Sequence, residues 1–326
     1  MPLHPDLEAF LELANAQPQP MRAMSPQQAR AAYDRSTLAL DPPGPEVAVE
    51  ALQFDGRDGL RIPAQLYRGK ATGAREPTLL FFHGGGYVLG GLASHDGLCR
   101  TLAHEAPCAV LAVDYRLAPE YRFPAAFDDA QDALHWLLRN GPAHGLDSRR
   151  IAIGGDSVGG TLAAALCIAE RDAGRPQPLL QLLLYPCTAA WQDSDSHRRL
   201  ASGYLLEHDN LQWMFRQYLR SDVDRLDWRF APLAAANLSG LAPAHVALAE
   251  YDPLLDEGRR YGERLAAAGV PVEVQVYAGM VHDFARLSNV VDEAGALRRR
   301  LAQVLAKAFA PARPAEHPSV PPVLSK

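Results

Sequence analysis

Arg150-Ile151-Ala152-Ile153-Gly154-Gly155-Asp156-Ser157-Val158-Gly159-Gly160-Thr161-Leu162-Ala163-Ala164-Ala165-Leu166 is the stretch that decides the fold. Its first four residues have the β-branched content of a buried strand, and its last six are strong helix formers. A serine on so sharp a strand-to-helix turn takes up strained backbone angles. The residues two before and two after it must then be small, or neighbouring backbone collides. Gly155 and Gly159 meet that demand and leave Ser157 projecting its hydroxyl above the sheet. The following helix points its N–H groups and positive dipole end at the same space. Taken alone, the pattern also fits a plain glycine-rich turn, so its surroundings carry the decision.

Pro77-Thr78-Leu79-Leu80-Phe81-Phe82 reads as a second buried strand and runs into His83-Gly84-Gly85-Gly86-Tyr87. Three glycines let the main chain turn its N–H groups toward a ligand with no side chain in the way. In acyl transfer such donors hold the oxygen that becomes negative, and losing one costs about a hundred- to a thousand-fold in rate. The natural partner donor is the N–H of Val158, next after the serine. A phosphate loop is the rival reading, but no Gly-Lys-Ser/Thr follows the glycines. The dinucleotide fingerprint fails on glycine spacing.

A nucleophilic serine needs a base and a group to orient it. Ala244-His245-Val246-Ala247-Leu248-Ala249-Glu250 reads as a strand with Asp252 at its exit. Val272-Glu273-Val274-Gln275-Val276-Tyr277 reads as another, followed by Ala278-Gly279-Met280-Val281-His282. Ligands of open α/β sheets bind at the carboxyl ends of strands, so Ser157, Asp252 and His282 are expected to converge there. Imidazole, with a pKa near neutrality, can take the serine proton and return it. Asp256, Glu250 and Asp283 are the rival carboxylates: the first begins a helix, the second ends a strand, and the third adjoins the histidine it would have to face. Of the other histidines, His83 belongs to the glycine turn and His245 opens a strand. His95 and His104 lie near or in a helix, and His4, His208 and His317 have no strand exit nearby.

On these residues the chain resembles the hormone-sensitive-lipase-like (family IV) carboxylesterases of the α/β-hydrolase superfamily. The resemblance rests on His83-Gly84-Gly85-Gly86, Gly155-Asp156-Ser157-Val158-Gly159-Gly160, Asp252-Pro253-Leu254-Leu255-Asp256 and Gly279-Met280-Val281-His282-Asp283-Phe284. Tyr115-Arg116-Leu117-Ala118-Pro119-Glu120, Leu184-Tyr185-Pro186 and Gly203-Tyr204-Leu205-Leu206 add to it, and it runs from the early forties to about Ala308. It implies an eight-stranded, mostly parallel sheet flanked by helices, with a helical cap. The implied activity is hydrolysis of short- to medium-chain esters through a serine acyl-enzyme, without metal or cofactor. The resemblance also implies that Gly85 and Gly86 join Val158 as oxyanion donors, with Gly84 a further candidate. Two positions depart from the family: Val158 stands where alanine is common, and Asp283 where glycine is frequent. Lactone or amide hydrolysis by the same groups stays open, as does a small-ligand receptor on this fold, although such receptors lack the histidine.

The remaining sequence sets the layout. Residues 1–45 are expected to form cap helices. Leu7, Phe10, Leu11 and Ala14 share one helical face, and Ser25-Pro26-Gln27-Gln28 is a capping box that starts a helix reaching about Ser36. Residues 46–310 form the catalytic domain, opening with an antiparallel pair, Val47–Phe54 and Leu60–Tyr67. A cap insertion spans about 188–222; some of its aromatics, with Trp191 or Trp213, are expected to line the substrate pocket. Residues 311–326 read as a disordered tail. A net charge of −6 gives no encouragement to nucleic acid or anionic membranes as partners. Cys99, Cys108, Cys167 and Cys187 have no metal-ligand spacing. No apolar run is long enough for a membrane span. A cytoplasmic enzyme follows, with a small ester as its partner; a homodimer is compatible.

Overall fold

A computed structural model describes residues 2–16, 21–69 and 75–311. Its strands are β1 (Ala48–Asp55), β2 (Arg61–Arg68), β3 (Glu76–Phe82), β4 (Ala109–Val113), β5 (Leu146–Asp156), β6 (Gln181–Leu184), β7 (Ala244–Tyr251) and β8 (Val272–Val281). They form one sheet in the order β1-β2-β4-β3-β5-β6-β7-β8. β1, β2 and β4 pair antiparallel, and every pairing from β4 through β3 to β8 is parallel. Parallel strands need crossovers, and these are helices: α3 (Asp96–Glu105), α4 (Ala125–Asn140), α5 (Val158–Asp172), α8 (Leu255–Ala267) and, after β8, α9 (Glu293–Phe309).

Side-chain alternation divides the core into two layers. Leu80, Phe82, Leu111, Val113, Ile151 and Ile153 face one way and join Leu134, Leu162 and Leu265 of α4, α5 and α8. Leu79, Phe81, Val110, Ala112 and Ala152 face the other and join Leu98, Leu102, Leu297 and Leu301 of α3 and α9. Both faces being covered, β3 and β4 are buried along their whole length, which is why residues 79–82 and 109–113 read as unbroken apolar runs. α5 lies under the sheet's centre and is buried on nearly every side, so its small residues show little helical periodicity.

Before the sheet come α1 (Pro5–Asn15) and α2 (Pro26–Leu40). The capping box of α2 is complete: Gln28 N–H donates to Ser25 Oγ at 3.2 Å, and Ser25 N–H to Gln28 Oε1 at 2.8 Å. The helix runs past Ser36 to Leu40, because nothing breaks it before Asp41-Pro42-Pro43, where a residue preceding proline is driven out of the helical region. Asp41 is held there by Arg298 at 2.7 Å and Ser288 at 2.6 Å. α1 buries Leu7 and Leu11 in the same core layer as Met280, Val281 and Phe284. Residues 188–222 carry the short α6 (Asp195–Arg199) and α7 (His208–Tyr218). The tail expected over 311–326 lies outside the described residues from 312 onward.

Candidate active site

Ser157 occupies the turn between β5 and α5 with φ 53° and ψ −121°. That left-handed conformation costs a non-glycine residue about 1–3 kcal/mol and persists only where its surroundings enforce it. They do so here: Ser157 N–H donates to Leu184 O at 2.8 Å, and its carbonyl accepts from Cys187 N–H at 3.3 Å and Thr161 N–H at 3.2 Å. The demand for small flanking residues is steric. A Cβ on Gly159 would stand 2.0 Å from Phe82 O, and one on Gly155 2.3 Å from the same oxygen. The turn is wedged against the end of β3.

From that end of β3 rises the glycine turn. Gly85 has φ 112°, open only to glycine, and its carbonyl accepts from Val88 and Leu89 N–H at 3.1 and 2.8 Å. The N–H groups of Gly85 and Gly86 have no acceptor among the described residues, and both glycines line the cavity that holds Ser157. Gly84 is the exception to the expected donor set. Its N–H goes to Asp156 Oδ1 at 3.0 Å, so that hydrogen is already spent. The same carboxylate lies 3.2 Å from His95 Nε2, and His95 Nδ1 is 2.8 Å from Ser94 Oγ. Asp156 thus ties the Ser157 turn to the glycine turn. Burial works against its charge, but His95 and then Arg286 act the other way, and its pKa falls below the usual carboxylate range. His83 is pushed down to about 3 by burial and by His95, so it is neutral; its carbonyl accepts from Tyr115 Oη at 2.8 Å.

Asp252 follows β7 directly and is fully buried. Its Oδ1 accepts Leu254 N–H at 2.8 Å, and its Oδ2 lies 2.7 Å from His282 Nδ1. β8 continues to Val281, beyond the Tyr277 at which the sequence reading ends it. Gly279 at φ 73° and a register shift against β7 absorb the irregularity, and Gly279 N–H donates to Glu250 Oε2 at 2.8 Å. His282 therefore sits at the strand's very end, its ring edge against Tyr185 at 4.8 Å between centroids. Burial would lower its pKa, yet Asp252 first, then Asp283 and Asp156, hold it above the ordinary value. The rival carboxylates are occupied elsewhere: Asp256 accepts Ser196 N–H at 2.8 Å, and Asp283 faces Arg286. Ser157 Oγ and His282 Nε2 make no hydrogen bond among the described residues but face one cavity. Such contacts often tighten only when substrate is bound.

That cavity encloses about 200 Å³, below the roughly 300–1,000 Å³ of pockets for drug-sized ligands. Its walls are mostly aliphatic: Met21, Leu40, Leu205, Leu211, Met214 and Leu287. The expectation that insertion aromatics line it is corrected. Tyr218 stacks on Tyr87 at 3.8 Å, Phe215 packs edge-on against Phe230, Trp213 is buried in the core, and Trp191 is half exposed beneath Arg225. The helix spacing was that of packing, and the residues beside the aromatics turn toward the site. α2 contributes Tyr33, Ser36, Thr37 and Leu40 to the wall, whereas α1 contributes none. Arg286 and Tyr33 escaped the sequence reading. Their contact spans more than two hundred residues, and no local pattern signals it. Among the described residues, no cluster of three or more His, Cys, Asp or Glu side chains is arranged to hold a metal ion.

Comparison with known proteins agrees on one family. Residues 79–286 match a family described as alpha/beta hydrolase fold. The chain is 42% identical over 305 residues to a protein named ethyl acetate hydrolase from Pseudomonas putida, covering 90% of this chain and 95% of that one. It is 44% identical over 253 residues to a carboxylic ester hydrolase of Mycobacterium tuberculosis, covering 75% and 67%. An ester hydrolase from the Lake Arreo metagenome, solved with a bipyridine phosphonate derivative, superposes with a TM-score of 0.91 at 37% identity, covering 94% of this chain and 99% of that one.

Proposed function

Because the chain belongs to the hormone-sensitive-lipase-like carboxylesterases of the α/β-hydrolase superfamily, and is a carboxylic ester hydrolase, we propose that it works through an acyl-enzyme on Ser157. Ser157 Oγ attacks the ester carbonyl while His282 Nε2 takes its proton. Asp252 accepts the Nδ1 hydrogen, which fixes the tautomer that leaves Nε2 free and stabilises the imidazolium that forms. The carbonyl oxygen, now negative, receives the N–H groups of Gly85, Gly86 and Val158, with the N-terminus of α5 behind them. His282 returns the proton to the departing alcohol. A water activated by the same base then releases the acid.

The reading is supported by one arrangement: three strand ends and the glycine turn deliver a strained serine, a carboxylate-bonded histidine and two unspent N–H groups to a single small, aliphatic cavity. Its size favours short acyl and alcohol groups. The cap of 1–45 and 188–222 belongs to the same proposal, supported by α2 and α7 in the cavity wall. So does cytoplasmic placement, consistent with four unpaired, buried cysteines and with no described helix long and apolar enough to cross a membrane. The test is labelling: an organophosphonate, of the chemistry carried by the Lake Arreo relative, should attach once per chain, on the peptide containing Ser157, and abolish turnover. Full activity after complete labelling elsewhere would end the reading.

Asp283 gives a prediction about pH. Its charge raises the His282 pKa, and only the neutral imidazole can act as base, so activity rises as pH climbs through that pKa. In Asp283→Asn the raising charge is gone while Arg286 stays cationic. The acid limb of the kcat/KM profile should move to lower pH. An acid limb that stays in place would show that Arg286 already cancels the effect of Asp283.

A further inference from the structure

We propose that Tyr33, held by Arg286, is a hydrogen-bond donor in the cavity wall that selects neutral esters bearing a second carbonyl oxygen over hydrocarbon esters of the same shape. The proposal rests on the ester-hydrolase reading and deepens it.

Arg286 is buried, and all five of its N–H hydrogens go to protein. Nε donates to Asp283 Oδ1 at 3.0 Å, and one terminal nitrogen to Ser94 O at 2.9 Å and Thr37 Oγ1 at 3.5 Å. The other donates to Asp283 Oδ2 and to the Tyr33 hydroxyl oxygen. The guanidinium therefore has nothing left for a ligand. Tyr33 has. Its oxygen accepts from Arg286, but among the described residues nothing accepts the hydroxyl hydrogen. A hydroxyl that accepts from a cation is polarised and donates more strongly. Both residues line the cavity that holds Ser157, in a wall otherwise mostly aliphatic.

The class of ligand follows from charge and capacity. The Tyr33 hydroxyl, in a mostly apolar wall that also holds Asn210, suits a single acceptor oxygen on an apolar body. An anion is disfavoured, because three carboxylates, Asp283, Asp156 and Asp34, act on Tyr33 against the one positive charge of Arg286, which is itself paired with Asp283. Burial holds the phenol well above its usual range, so the proton stays in place at neutral pH. A neutral carbonyl, such as a ketone, fits these limits.

The experiment uses matched esters, each ketone replaced by a branched methyl: ethyl levulinate against ethyl isocaproate for the acyl side, and 3-oxobutyl acetate against isoamyl acetate for the alcohol side. In Tyr33→Phe, kcat/KM for one ketone ester should fall about five- to tenfold through KM, with its hydrocarbon partner changed less than twofold. Tyr33→Met serves if the phenylalanine variant does not fold. Equal losses on both members of a pair would mean that Tyr33 only supports Arg286, and would overturn the proposal. So would an unchanged ratio in both pairs. Failure of the underlying reading looks different: Ser157→Ala would then keep its turnover of all four esters.

Discussion

Ser157→Ala is expected to lower kcat by about a hundred-thousand- to a million-fold and to abolish phosphonate labelling, with the melting temperature unchanged. On the proposed mechanism the size follows from losing the group that forms the covalent bond, not one that assists it. What survives, about a thousand-fold over water, comes on the same proposal from substrate held against Gly85, Gly86 and Val158. Stability is expected to hold because the hydroxyl has no hydrogen-bonded partner among the described residues, so its removal orphans nothing. Alanine also keeps the Cβ, so the strain at φ 53° is the same in both proteins. Measured turnover on a short acyl ester, with a thermal melt, checks both halves. A variant that melted early would indicate that the hydroxyl has a structural role. One that kept appreciable activity would move the nucleophile elsewhere.

Asp252→Asn should cost about ten-thousand-fold in kcat/KM at neutral pH with little change in fold. Asp252 Oδ1 already accepts Leu254 N–H at 2.8 Å. An asparagine keeps that bond by placing its oxygen there, which turns its NH₂ toward His282 Nδ1. Two donors cannot face each other, so Nδ1 must become the acceptor and the ring hydrogen must move to Nε2. Nε2 is then unable to take the serine proton. Asp252→Asn should therefore be slow at every pH at which imidazole is neutral, unlike Asp283→Asn, which only shifts its acid limb. A loss of tenfold or less would mean that Asp252 holds the ring's position but does not decide its tautomer.

How far the sequence carried this reading depended on the range of each interaction. The turn at Ser157 was legible because its geometry is local: four or five consecutive residues suffice to state that Gly155 and Gly159 must be small. The glycine turn was legible for the same reason, except at Gly84. Its N–H is consumed by Asp156, a residue that lay in plain view beside Ser157 but whose direction a sequence does not give. α7 was found by its spacing, but the side that meets the cavity was misassigned. Helical periodicity tells which residues are buried and is silent on whether they meet core or ligand, so Phe215 and Tyr218 went to packing while Leu211 and Met214 went to the cavity.

By itself the chain determined the order of strands and helices, the turns that strain and glycine make recognisable, and the residue types available for acyl transfer. Those depend on backbone sterics and on patterns no longer than a few turns. Only the tertiary structure decided which groups are free to act. It committed the N–H of Gly84, set Asp252 against His282 across thirty residues, and joined Tyr33 of α2 to Arg286 beyond β8. The physical reason is that a hydrogen bond is spent once. Whether a donor or acceptor remains for substrate depends on every neighbour the fold brings within about 3 Å of it, and most of those neighbours are distant in sequence.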